Sequence, residues 1–447
     1  MPAVQTATWR TWQGHTKQIN LLHPDAAAFD TKYMTTILTG QNGSHKSTLL
    51  KQLVYDLITP SEDEKPPRGS RTKKPKPTSH VVCVSGSPSD RFPQKEKPGG
   101  GRTLFDVPNY TYYGQRVYGN LLSQKLPLET LLTSALDASK KNRYAWNFYS
   151  ECHRLVGVVP RVEYILSTEA LRAKGIRKLL LEKQVDAKAD RRGQFFERIS
   201  FPLAQWFLSE FRPEEFDELD LLLERPRRKL SLIIDPNGPS CEPASVNVIR
   251  LGLLLDIIKL NDAKVSRTQS KNPFSIFELS SGEFHLLTTI LGIGFSLEKS
   301  SVLLIDEPEN NLHPQWQRSL MALIFEVCDH ILDDGHLVVS THSPLIVGAA
   351  IQGSTVIDLT DEEPVLTLAS YGASSDQLLL NQFGVGSSRN KLVVDTVQKA
   401  ISLVETNGLD SNEFTSLIPN LLNIRESLLD TDPLVAVIDA LLDEEVV

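Results

Sequence analysis

The stretch "MTTILTGQNGSHKSTLLKQLVYDLI", residues 34 to 58, decides the fold. Its apolar opening reads as a strand, and the leucines, Val54 and Ile58 that follow recur at helical spacing. Between them, residues 40 to 48 approach the G-x-x-x-x-G-K-[ST] pattern. In that pattern backbone N–H groups at a helix N-terminus cradle phosphates and a lysine reaches the β- and γ-phosphates. Gly40, Lys46 and Ser47 fall in place, with Asn42, Gly43, Ser44 and Thr48 completing the loop, but His45 stands where the second glycine belongs. A glycine there lets the backbone approach a phosphate without a Cβ in the way, so the histidine adds bulk beside Lys46. Alternatively, a protonated imidazole faces the phosphates as an extra donor.

Outside this stretch the composition sets limits. The 447 residues suffice for a large core, and 23% charged with 40% apolar residues describe an ordinary soluble globular protein. A net charge of −8 argues against coating nucleic acid by bulk electrostatics, so any DNA or RNA contact must be regional. Cys83, Cys152, Cys241 and Cys328 form no C-x-x-C pair, which suggests neither zinc nor disulfides and fits a reducing, cytoplasmic setting. No signal-like opening and no apolar run of membrane-spanning length is present, so no membrane partner is expected.

Four regions follow along the chain. Residues 1–120 read as the first half of an ATPase-like α/β head, 121–230 as a helical insertion, 231–360 as the second half of the head, and 361–447 as a mixed, helical region with a surface for partner docking. The insertion rests on charged, helix-favouring runs such as "LRAKGIRKLLLEKQVDAKADRRGQFFERI", punctuated by prolines. In the second half "KLSLIIDPNG" reads as a strand and "VIRLGLLLDIIKL", residues 248 to 260, as a helix. Between Lys65 and Lys76 six Lys or Arg residues occur with no acid, either a solvated loop or a contact for an acidic partner. Asp410 to Val447 holds nine acids against a single Arg425, with helical apolar spacing in "DPLVAVIDALL". That pattern reads as an amphipathic helix packed on its own domain, or as a docking surface.

Three further motifs bear on chemistry. "SVLLIDEPE", residues 301 to 309, is an apolar strand ending in Asp306, placed to hold magnesium through water, and Glu307, placed to orient or deprotonate water. "ELSSGEFHLL", residues 278 to 287, sets Ser280, Ser281, Gly282 and Glu283 at the start of a helix, where hydroxyls and N–H groups favour an anion. "LVVSTHSPLIV", residues 337 to 347, is a strand leading to His342.

Together, "GQNGSHKST", "LSSGE", "LLIDEPENNLHP" and "STHSP" resemble the ATP-binding-cassette ATPases of the chromosome-maintenance, recombination-repair and overcoming-lysogenization-defect kind. The resemblance covers about residues 30 to 115 and 270 to 350. It implies a P-loop α/β ATPase head with ATP and Mg2+ as cofactors. Lys46 would bind the β- and γ-phosphates, Ser47 and Asp306 would hold magnesium, Glu307 would be the catalytic carboxylate and His342 would sense the γ-phosphate. Ser280 and Gly282 would act on the nucleotide of a second copy, so the chain would self-associate as a dimer or larger assembly through composite ATP sites. Hydrolysis is expected, slowed by His45. Gln115 is the candidate for the family's glutamine loop.

More finely, "VSGSPSDRFP", the downstream "YYG", the basic loop and "FGVGSSRN" resemble the stand-alone ATPases of bacterial anti-phage systems such as Septu and PARIS. That resemblance implies a nucleotide-gated sensor or scaffold controlling a separate effector, usually a nuclease. A DNA-repair or chromosome ATPase is the alternative, although the insertion lacks the sustained heptads of a long coiled-coil arm. A transporter's ATP-binding subunit fits less well, because Lys46 and Ser280 stand too far apart for the compact transporter pattern. A nuclease on the chain itself fits least, since no histidine follows His342.

Overall fold

The computed structural model describes residues 4–11, 14–58, 80–88, 90–93, 109–114, 117–118, 121–122, 124–145, 147–168, 175–185, 199, 201–224, 228–270, 272–361, 363–369, 391–407, 411–428 and 432–443. The basic run at 65–76, Gln115 and "FGVGSSRN" lie outside them. The chain divides into two compact units. The first comprises Met1–Asn20, Thr31–Met34 and Ser47–Ser340, and the second Leu21–Asp30, Thr35–Lys46 and Thr341–Val447.

The first unit opens with an antiparallel hairpin, β1 (Thr6–Arg10) and β2 (Thr16–Asn20). β3 (Met34–Thr39) runs from the first unit into the second after Met34, and α1 (Lys46–Ile58) returns to the first at Ser47. β4 (Val81–Ser85), β5 (Tyr110–Gly114) and the short antiparallel pair β6 (Val117–Tyr118) and β7 (Leu121–Leu122) come next. Helices α2 (Lys125–Ala135) and α3 (Phe148–Leu155) lead into β8 (Val162–Thr168). After α4 (Ile176–Val185), α5 (Phe201–Glu210) and α6 (Pro213–Leu223), the chain forms β9 (Lys229–Asp235), β10 (Gly238–Glu242), α7 (Val246–Leu254), β11 (Ile258–Ser266) and β12 (Pro273–Ser275). α8 (Ser281–Ser296), β13 (Val302–Asp306), α9 (Pro314–Ile331) and β14 (His336–Ser340) complete the unit.

β14, β13, β4 and β5 lie side by side and all run parallel, with Ser340, Asp306, Ser85 and Gly114 in one row at their C-terminal ends. Every residue of β4, β13 and β14 is buried, as expected for parallel strands covered on both faces. α8 is apolar on nearly all sides and correspondingly buried from Phe284 to Ser296. In open α/β sheets the C-terminal ends of the strands are where ligands sit, and this row therefore positions the candidate site.

A second sheet, in the order β10-β9-β8-β11-β12, is antiparallel throughout. Its β8 lies inside the 121–230 stretch read as a helical insertion. Val162, Tyr164, Leu166 and Thr168 alternate inward, but seven alternating residues are a weak signal among long charged helical runs. "KLSLIIDPNG" forms β9, as the sequence predicts. The helix expected over 248–260 ends early. Asp256 adopts a left-handed φ of 61°, its N–H donates to Leu253 at 3.0 Å, and Ile257 N–H donates to Gly252 at 2.8 Å. This paired bonding closes the helix as a Schellman motif, and the apolar run continues as β11.

In the second unit β15 (Thr355–Asp358) runs parallel to β3 and antiparallel to β16 (Val365–Leu368). Ile37 and Val356 bury with Val347 and Ala350, which belong to and follow α10 (Pro344–Gly348). α11 (Lys391–Asn407), α12 (Asn412–Thr415), α13 (Ile418–Ser427) and α14 (Pro433–Asp443) have a core of their own, with Val393, Val397, Phe414, Leu421 and Ile438 buried. "DPLVAVIDALL" thus supplies α14, whose Val435 and Ile438 face that core. Among the described residues no helix is long and apolar enough to cross a membrane.

Candidate functional site

In the second unit β3 delivers the chain at Thr39 into the glycine loop. Gly40 has a φ of 132°, and a Cβ there would stand 2.9 Å from Ser44 Oγ and 3.1 Å from the Thr360 nitrogen, so the turn requires glycine. His45 has a φ of 70°, the left-handed region that glycine enters freely and an ordinary L-residue enters at a cost of about 1–2 kcal/mol. That is the local reason for the glycine usual at this position. Histidine is among the non-glycine types enriched in this region, which accounts for its accommodation here. Asn42 and Gly43 are exposed at the tip, and Ser44 N–H closes the turn onto the Gln41 carbonyl at 3.2 Å. Lys46 is only 4% exposed, its ammonium held by the Gly40 carbonyl at 2.8 Å, the Gln41 carbonyl at 3.2 Å and Ser44 Oγ at 3.3 Å. A buried cation needs such oxygens, and they aim the amine over the loop. His342, half-buried in the same unit, follows Thr341, whose N–H donates to the Leu38 carbonyl at 3.0 Å.

In the first unit Ser47 and Thr48 occupy the first turn of α1. Ser47 Oγ donates to Asp306 Oδ1 at 3.2 Å across 259 residues of sequence, and Ser340 Oγ donates to the same oxygen. Asp306 is 2% exposed. Burial pushes its carboxyl up to about 6, against the hydrogen bonds from Ser340 and Ser47, and the Glu307 and Asp90 carboxylates add to the rise. A divalent cation would favour its charged form. One buried carboxylate and one hydroxyl are hard oxygen donors that suit magnesium, which takes few protein ligands and keeps phosphates and waters. Among the described residues no group of three or more His, Cys, Asp or Glu forms an all-protein metal cage.

Glu307 has a φ of 50°, a strained turn immediately after the strand. Its N–H donates to the Ser340 carbonyl at 2.9 Å, and Asn310 Nδ2 donates to its Oε2 at 2.7 Å. Ser280 is the N-cap of α8. It accepts the Glu283 N–H at 3.3 Å while Glu283 Oε2 accepts the Ser280 N–H at 2.8 Å, a reciprocal capping box. Ser280 and Ser281 are exposed, whereas Gly282 is buried against Asn311. Burial alone would raise the Glu283 carboxyl. Arg267, at 2.6 and 3.2 Å, and the Ser280 bonds outweigh it and hold that carboxyl below the ordinary value.

The structure thus brings Ser47 to Asp306 and places Glu307 beside them, while the exposed Ser280 bonds within its own helix. Sequence reasoning missed Ser340, Asn310 and Gly86, each of which bonds Asp306 or Glu307. Ser340 carries a signal, as the last residue of an apolar strand just before "TH". The others depend on which strands are neighbours.

Residues 248–348, which include Ser280 to Glu283, Asp306, Glu307 and His342, match the family described as "AAA domain, putative AbiEii toxin, Type IV TA system". Over those residues the chain is similar to AAA ATPase domains. A 104-residue stretch, 22% of this chain, is 28% identical to the Septu protein PtuA of Bacillus thuringiensis and spans 25% of that protein's length. Among solved structures, the chain is similar to an Smc head bound to the C-winged helix domain of ScpA, at 11% identity over 83% of this chain and 98% of that one, with a TM-score of 0.33. An Smc head domain with an extended coiled coil, bound to the C-terminal domain of ScpA derived from Pyrococcus furiosus, aligns at 13% identity over 83% and 97%, with a TM-score of 0.32.

Proposed function

We propose that this chain binds and hydrolyses ATP as one half of a composite site, and that its nucleotide state controls a separate effector, a nuclease, in antiviral defence within the cytoplasm. The observation that carries the reading is the Ser47–Asp306 bond. It joins a phosphate-loop hydroxyl to a strand-end carboxylate, the pair of oxygens that a nucleotide's magnesium requires. The likeness to a Septu protein supports the defence setting.

In this reading the Lys46 ammonium exchanges its loop oxygens for β- and γ-phosphate oxygens. Magnesium, when bound, would neutralise charge on those oxygens, with Ser47 and Asp306 as its protein side. Glu307 accepts the proton of the attacking water, and Asn310 fixes the carboxylate's orientation. His342 donates to the γ-phosphate. The exposed Ser280 and Ser281, with Gly282 and Glu283, of a second copy close over the phosphates, with the α8 N-terminus directed at them.

Titration of ATP and Mg2+ against the full chain tests the binding step. Saturable binding by the wild type, weakened about a hundredfold or more in Lys46→Ala, is expected; equal binding by the two would overturn it. For the effector, a neighbouring nuclease gene whose product is held or released according to the nucleotide supports the reading. A neighbouring permease gene contradicts it.

A further inference from the structure

β4 ends at Ser85, paired with Asp306, and the residues after it emerge at the same row of strand ends as the Ser47–Asp306 bond. Gly86 is fixed by its N–H to the Asp306 carbonyl at 2.9 Å. Further on, Asp90 Oδ1 accepts the Phe92 N–H at 2.9 Å and Oδ2 accepts the Tyr112 hydroxyl at 2.5 Å. Phe92 is 2% exposed and meets Tyr112 edge-on with ring centroids 6.2 Å apart. Arg91 stands between these two anchored residues. Its exposed side chain reaches the first turn of α1, where Nη1 donates to Thr48 Oγ1 at 2.9 Å.

We propose that Arg91 is a phosphate-binding residue of the nucleotide site, an assignment that rests on the ATP-binding reading above. The adjacent carboxylate, Asp90, is engaged by Phe92 and Tyr112, and the guanidinium bonds a neutral hydroxyl instead. That hydroxyl belongs to the residue after Ser47, at a helix N-terminus that favours anions. The planar fork that gives one N–H to Thr48 presents further donors in the same plane, a geometry suited to phosphate oxygens and not available to lysine. Charge balance points the same way. Asp306, Glu307 and Asp90 put carboxylates around this row of strand ends, and the Arg91 guanidinium beside Thr48 is placed to offset them for an entering polyphosphate.

Displacement of a fluorescent ATP analogue by ATP and by tripolyphosphate, on the full chain, tests the assignment. Arg91→Ala should weaken both competitors by about ten- to a hundredfold, and Arg91→Lys by less, with melting temperatures in the absence of nucleotide close to wild type. Wild-type affinity in Arg91→Ala would overturn the assignment while leaving the ATP site in place. Should Arg91→Ala fail to fold, Arg91→Gln keeps a donor for Thr48 without the charge: a tenfold loss supports the assignment, and wild-type affinity overturns it. No ATP binding by the wild type, with Lys46→Ala indistinguishable from it, would overturn the nucleotide reading and this assignment with it.

Discussion

The backbone of Gly86 lies directly against that of Glu307. A Cβ built on Gly86 would stand 2.1 Å from the Glu307 carbonyl oxygen, far inside contact distance. The end of β4 therefore fixes where the carboxylate after β13 can sit. Gly86→Ala should displace Glu307 by a large fraction of an ångström and lower ATP turnover by about a hundredfold, since misplacement on the 1 Å scale carries that cost. ATP affinity should change far less. Steady-state hydrolysis alongside ATP titration reads the two effects separately, and unchanged turnover would refute the coupling.

The left-handed backbone of His45 gives a second prediction. His45→Gly removes the strain of a φ near 70° at the cost of about 0.5–1 kcal/mol of glycine entropy, so ATP affinity should stay within a few-fold of wild type. His45→Val should lose ATP binding and stability together, because a β-branched side chain at positive φ is a genuine outlier. A glycine variant that binds more weakly at pH 6 than at pH 8, relative to wild type, would show instead that a protonated imidazole donates to the phosphates.

Much of this was legible in the sequence. The β13 run "VLLID" could only be a covered strand, and a carboxylate at its end beside a phosphate-loop serine is what parallel neighbours at a ligand-binding edge produce. Ser280 could be placed at a helix start because its partner in the capping box, Glu283, stands three residues on. By contrast, β8 was hidden because its seven alternating residues sit among longer helical runs. Asp256 stopped α7 by a backbone conformation that its residue type only permits. Gly86 and Arg91 read as parts of a turn, since their roles exist only once β4 lies beside β13 and α1 begins at Lys46. Non-local pairing of this kind has no periodic signature.

Assembly can be tested without disturbing the fold. Ser280 is exposed and caps α8, so replacement by a non-capping residue would cost about 0.5–2 kcal/mol by itself. Ser280→Asp keeps the cap while adding a negative charge where a second copy's phosphates belong. ATP binding and melting temperature should be retained, and hydrolysis should fall at least tenfold. Normal hydrolysis by this variant, or by an isolated monomer, would show that the site is complete within one chain.

Acid should destabilise the first unit. Burial lowers His153 to about 4, His285 to about 4 and His336 to about 3. These native values lie below the unfolded value of about 6.5, so the unfolded chain binds more protons between them. The stabilisation is complete above about pH 6.5 and is lost as pH falls toward 4, by up to about 1.4 kcal/mol per pH unit for each histidine. Thermal melting should drop clearly between pH 7.5 and pH 5. A melting temperature that holds or rises over that range would contradict the neutral, buried assignment.

ATP turnover by the wild type and by Glu307→Gln, measured with ATP affinity on the same preparations, tests the central claim most directly. In the proposed mechanism the substitution would remove the base and leave the hydrogen-bonded Ser47 and Asp306 to hold magnesium. The account predicts turnover lowered by about a hundredfold or more with ATP binding retained. Equal turnover in the two proteins would contradict it.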